Sequence, residues 1–147
     1  MKLNPDLIRT RCQEIEESLT RLAGIRAEAS KERFLADSDL RDIASYRLLV
    51  AIEAALSICY HLAAKELRQV PEEYAECFAI LARAGIIDNE LSRRLQQTAR
   101  FRNMLVHMYW KVDYGVVYDI IAESLDDLAN FADTIGRYAT DNPPRTE

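Results

Sequence analysis

Residues 88–109 read DNELSRRLQQTARFRNMLVHMY, and the spacing inside this stretch decides the fold. Leu91, Leu95, Thr98, Arg102, Leu105 and Tyr109 follow one another at steps of four and three, the spacing of one buried stripe on an α-helix. Asp88 stands where an N-cap is needed, its short carboxylate able to accept from the first free backbone N–H groups. One stripe position is out of keeping. A guanidinium among leucines needs either a paired acid or a wet cleft, so Arg102 is matched to Asp113 or an acid on another helix, or it waits for a phosphate that fits its planar fork.

The same period extends outward in both directions. Upstream, Asn4 caps and Pro5 opens a first helix whose inner face is Leu7, Ile8, Cys12, Ile15, Leu19, Leu22 and Ile25, and the polar run Ser30–Arg33 closes or loosens it. A second helix begins at Asp37 or Ser38 and buries Leu40, Ile43, Leu48, Ala51, Ala55, Ile58 and Leu62, with Pro71 forbidding continuation past about Gln69. A short third helix runs from Pro71 to a stop at Gly85, with Tyr74, Phe78 and Leu81 inward. Downstream, a turn at Lys111-Val112-Asp113 leads into a last helix holding Val117, Ile120, Ile121, Leu125, Leu128, Phe131 and Ile135. No strand pattern of useful length interrupts this series. The expectation is an all-α, antiparallel up-and-down bundle of four long helices and one short one. Residues 1–140 make a single domain, 141–147 a frayed tail with Pro143-Pro144, and long single-face stripes point to a homodimer.

Composition narrows the function. The chain has 147 residues and a formal net charge of −5, which is not the footprint of a general nucleic-acid binder. The average conceals one basic segment: between Glu90 and Asp113 stand Arg93, Arg94, Arg100, Arg102 and Lys111 with no acid. That is a solvated helix face or a local phosphate-attracting patch. Cys12, Cys59 and Cys77 form no CxxC pair and sit in apolar stretches, as small core hydrophobes in a reducing compartment do. No secretory leader is expected, because Met1-Lys2-Leu3-Asn4-Pro5 has no apolar run behind its charge, and charge is expected to break every long apolar run, which points to the cytoplasm and to no membrane span. No Gly-rich phosphate loop, GxSxG elbow or paired Glu-x-x-His motif is present, so neither cofactor nor metal is expected. His61, inside Ile58-Cys59-Tyr60-His61-Leu62, has no ligand-spaced partner and is read as a core or interface histidine.

His107 strengthens the case at the end of the fourth helix. Asn103 and His107 are four apart and share one side, whereas Arg102 and His107 point about 140° apart on a regular helix. One site using both requires the arginine to curl, the helix to end near His107, or a second protomer to complete the cleft.

The run Arg102-Asn103-Met104-Leu105-Val106-His107-Met108-Tyr109 resembles the signature of HepT-like HEPN domains: arginine, four to six residues, histidine, any residue, tyrosine, with a polar residue after the arginine. Its place near the end of the penultimate helix matches too, and a more diffuse likeness runs from Phe34 through Asp119. The resemblance implies a homodimer whose two signatures face one cleft, and metal-independent cleavage of tRNA or mRNA. It also implies a minimal nucleotidyltransferase (MNT) antitoxin that transfers AMP to Tyr109, as in type VII-like toxin–antitoxin pairs. On this reading Arg102 holds the phosphate, Asn103 orients, and His107 moves the proton, with Arg93, Arg94, Arg100 and Lys111 as candidates for flanking RNA phosphates. Two other readings remain open at this point: a non-catalytic nucleotide-binding or partner-docking module, and a purely structural bundle with Arg102 in a core ion pair.

Overall fold

The computed structural model describes residues 3–141. The described residues form seven α-helices and one 3-10 turn: α1 (Pro5–Glu28), α2 (Lys31–Ala36), α3 (Ser38–Lys65), α4 (Tyr74–Arg83), α5 (Asn89–His107), the turn Tyr109–Lys111, α6 (Tyr114–Glu123) and α7 (Leu125–Asp141). The fold is all-α, as the periodicity requires. Asp141 closes α7; the rest of the expected tail lies outside the described residues.

The helix starts are set by side-chain caps. Asn4 accepts from the N–H groups of Asp6 and Leu7, Asp37 from Asp39 and Leu40, Asp88 from Leu91, and Asp113 from Gly115 and Val116. Gly85 ends the α4 region at φ +77°, a left-handed turn that glycine adopts without steric cost.

Contacts between helices fix their directions. The backbone N–H of Asn4 donates to Nε2 of His61 at 2.9 Å, so the start of α1 meets the end of α3. A groove lined by Pro5 and Ile8 on α1 and by Ala139 and Thr140 on α7 places the start of α1 against the end of α7. Arg94 reaches Asp127 at 3.5 Å, while Phe101 lies beside Ile120, so α5 and the α6–α7 arm also run opposite ways. Hence α1, α3, α5 and α6–α7 form an up-and-down bundle, with α4 packed outside α5. The core includes Ile15, Leu22, Leu48, Ile58, Leu81, Leu95 and Ile121, all at most 1% exposed. Phe78 and Phe131 meet edge to face at 5.6 Å and 88°, joining α4 to α7.

Four local expectations are corrected. Ser30–Arg33 does not merely close α1: Ser30 caps the separate helix α2, accepting from Arg33 N–H. Phe34 then stands fully buried, tilted against Tyr118. The short helix begins at Tyr74 rather than Pro71. The last helix is divided at Ser124 (φ −117°, ψ 0°), although its apolar stripe passes through the break in register. Finally, α3 is long and apolar enough by composition to cross a membrane, contrary to the reading that charge breaks every such run, but more than half of that window is buried within the bundle.

Candidate functional site

Arg102 leaves α5 on the face that meets α3. Its Nε–H donates to Oε1 of Glu53, and its guanidinium carbon lies 4.3 Å from the centroid of the Tyr74 ring at the start of α4. The side chain is 15% exposed, that of Glu53 45%. Three helices therefore hold one arginine: an ion pair at its Nε edge and a cation–π contact on its face. Among the described residues neither Nη group has a hydrogen-bond acceptor.

The predicted partner Asp113 is occupied elsewhere, capping α6. The other expectation, an acid on another helix, is met by Glu53 of α3, which the sequence does not single out by number although it is the only charge between Leu48 and Cys59. Tyr74, expected inward, is 38% exposed at the rim. It stacks under Arg102 and meets Tyr60 edge-on at 6.0 Å. Burial pushes the Tyr60 phenol above its ordinary pKa, so it stays neutral behind Tyr74.

Arg102 and His107 both lie within α5, five residues apart, and no contact between them is seen among the described residues. His107 is the last residue of α5, and Met108 (φ −127°, ψ 36°) breaks the helical path. The 140° separation from Arg102 thus falls at a helix terminus, about 7.5 Å along the axis at 1.5 Å per residue. His107 and Asn103 are both exposed. Asn103 lines a groove of about 400 Å³ with Glu72, Glu73, Tyr74 and Arg100. Tyr109 leaves the stripe that periodicity assigned to it: the chain turns before it, and it stands 70% exposed. Its neighbour Trp110, 65% exposed, packs against it at 5.3 Å and 83°. The 3-10 turn is tied to the helix end by Lys111 N–H donating to the Met108 carbonyl at 2.8 Å.

The basic segment divides in two. Arg93 and Arg94 both bind Glu90, and Arg94 also reaches Asp127, so their charge is largely neutralised and they sit more than two turns from Arg102. Arg100 and Lys111 make no ion pair among the described residues and lie nearer the helix end. His61 is satisfied by the Asn4 N–H and stands apart from the signature.

Because α3 and α5 are antiparallel and Arg102 meets Glu53, the chain beyond Arg102 runs back along α3, and Arg41 duly lies 4.9 Å from the Tyr114 ring. Tyr46, seven residues before Glu53 on α3, is 62% exposed. Met108, Tyr109 and Trp110, consecutive in the chain, expose large side chains just past the end of α5, surface of the kind that marks an interaction site.

The profile of the Ribonuclease HepT-like family matches residues 15–135. A curated relative from Shewanella oneidensis, named mRNA nuclease HepT, is 25% identical over 130 residues, covering 88% of this chain and 96% of that one. Among solved structures, a tri-AMPylated Shewanella oneidensis HEPN toxin in complex with an MNT antitoxin aligns at a TM-score of 0.81 and 25% identity, over 90% of this chain and 98% of that one. A cytosolic Bacillus subtilis protein of unknown function, YutE, shares the fold at a TM-score of 0.85 and 18% identity over 99% of each chain.

Proposed function

Because this chain belongs to the Ribonuclease HepT-like family, we propose that it is the cytoplasmic toxin of a type VII-like toxin–antitoxin pair, an endoribonuclease that cleaves tRNA or mRNA without a metal ion. The observation that carries this reading is the anchored Arg102, held by Glu53 and Tyr74 with both Nη groups open, one helix end from an exposed His107.

RNA contains its own nucleophile. When the 2′-hydroxyl attacks the adjacent phosphorus, its proton passes to an imidazole such as His107, and the bond to the 5′-oxygen breaks as that oxygen takes a proton. The product is a 2′,3′-cyclic phosphate. Arg102 supports the charge that grows on the non-bridging oxygens, and its fixed guanidinium needs little reorganisation to do so. Asn103, one turn before His107, orients the imidazole or the phosphate. A second copy meeting this one across the exposed Met108–Trp110 end would face one signature with another, and His107 of the partner subunit would then supply the second proton transfer.

Tyr109 fits a modification site by its exposure. AMP on its hydroxyl adds negative charge and bulk beside the guanidinium, repelling RNA phosphate; the MNT antitoxin would be the enzyme that places it there.

The test is cleavage of labelled tRNA and mRNA in EDTA by parent, Arg102→Ala and His107→Ala proteins, with Tyr109 first verified as unmodified by intact mass. Cyclic-phosphate ends, lost in both variants, are expected. A folded, unmodified parent that leaves RNA intact would reject the nuclease. The second reading, a non-catalytic nucleotide-binding or partner-docking module, would then stand, and the acidic rim of Glu72 and Glu73 favours its docking form.

A further inference from the structure

We infer that Tyr109 and Trp110 form a stacking platform for an unpaired nucleobase of the RNA substrate, so that Trp110 selects single-stranded segments for cleavage; this rests on the ribonuclease reading of the same site. Trp110 is the only tryptophan in the chain, and nothing in the bundle uses it. It is 65% exposed and supports no buried contact, yet it is not on a free tail. The 3-10 turn that carries it is fixed at one end by the α5 terminus, through Lys111 N–H to the Met108 carbonyl, and at the other by the Asp113 cap of α6. The perpendicular packing on Tyr109, at 5.3 Å between centroids, restrains both rings.

Because the two rings stand at 83° to each other, one flat base can stack on only one of them: Tyr109 braces the indole, and the Trp110 ring offers an apolar face that matches the flat, hydrogen-bond-poor face of any nucleobase. Duplex RNA keeps its base faces stacked on one another, whereas unpaired bases are free to stack on aromatic side chains. Lys111, which makes no ion pair among the described residues, adjoins Trp110 and supplies the cation nearest the platform for a backbone phosphate; Arg100 and Arg102 precede it on α5, the first in a groove shared with Glu72 and Glu73 and the second paired with Glu53. His107 lies two residues before Tyr109, so a base seated on the platform belongs to a nucleotide beside the scissile phosphate. Sequence order thus puts phosphate fork, proton carrier and base platform in a row: Arg102, His107, Tyr109-Trp110.

The sole tryptophan also makes the test direct. A 2′-O-methyl oligoribonucleotide, which cannot be cleaved because its 2′-oxygen carries no proton to lose, is titrated into the parent protein while Trp110 emission is followed. The single strand should quench the emission saturably, and the same strand annealed to its complement should not. With affinity read for parent and variants alike by the fluorescence anisotropy of a 5′-labelled 2′-O-methyl strand, Trp110→Leu should weaken binding by about tenfold, the loss of one stacked base, and raise KM for the unmethylated strand while leaving kcat within about twofold. Trp110→Phe should recover most of the affinity. Quenching that is equal for strand and duplex, or equal affinity in the parent and Trp110→Leu, would overturn the platform. A parent that cleaves the unmethylated strand yet shows unchanged emission loses the platform alone, whereas one that neither binds nor cleaves loses the nuclease reading as well.

Discussion

Glu53 and Arg102, 49 residues apart in the chain, meet through Oε1 and Nε, and this pairing spends only one edge of the guanidinium. An ion pair formed for stability alone would engage the arginine fully. With Glu53 nearly half exposed, the pair contributes about 1 kcal/mol at most to folding. Arg102→Met should therefore shift Tm by no more than about 3 °C and lower RNA cleavage by about 100-fold or more, as removal of a charge stabiliser does. Thermal melts and initial rates on the same samples check both halves. A variant that melts unchanged and cleaves normally would assign Arg102 to the bundle alone.

Tyr74 should act on Arg102 through its ring and not its hydroxyl, since the guanidinium lies over the ring face. Tyr74→Phe is expected to retain cleavage within about threefold. Tyr74→Leu, which keeps apolar bulk but loses the π face, should lose more, the cation–π contact being worth about 1 kcal/mol. Equal rates for the two variants would reduce Tyr74 to a spacer.

His61 makes stability depend on pH. Burial, helped by nearby Lys65 and opposed by Glu66, lowers its pKa from the ordinary 6.5. Its neutral Nε2 accepts the Asn4 N–H, which a protonated ring cannot do. The unfolded chain thus binds a proton at a higher pH than the folded one. The stability present above pH 6.5 is lost as pH falls from there toward the depressed folded value. His61→Gln should flatten this part of the Tm profile measured between about pH 5 and pH 8; a slope identical to the parent's would place its source in other groups.

The cysteines should differ in accessibility. Cys59 and Cys77 are fully buried, and burial, with Cys77 beside it, drives the Cys59 thiol far above its usual range. Cys12 is only half-buried, its pKa raised by burial and then by Glu16. Thiol alkylation of the native protein, followed by peptide mapping, should label Cys12 slowly and the other two only after denaturation. Prompt labelling at Cys77 would mean that α4 opens readily.

Much of this architecture can be read from the chain because its decisive signals are local. Asn4, Asp37 and Asp88 each cap within three residues of themselves, and Gly85 turns the chain on its own φ. The break at Ser124 is silent for the opposite reason: Ile120, Ile121, Leu125 and Leu128 keep one stripe across it, and no proline or glycine marks the spot. The signature from Arg102 to Tyr109 is likewise visible in the linear order. Its supports are not, because Glu53 and Tyr74 come from two other helices and only packing brings them to the guanidinium. The exposure of Tyr109 depends on where α5 stops, and a heptad-like count carried past His107 buries a residue that the turn at Met108 delivers to solvent.

The three-helix hold on Arg102 also imposes an order on biosynthesis. The ribosome delivers Glu53 first, then Tyr74, and the arginine only with α5, so the two receiving groups precede the charge they position. A message truncated before codon 102 yields helices without a phosphate fork. One that runs through α5 completes the fork only when the nascent segments close on one another. The three-helix contact around Arg102 is thus a late product of translation, absent from any fragment that ends before α5.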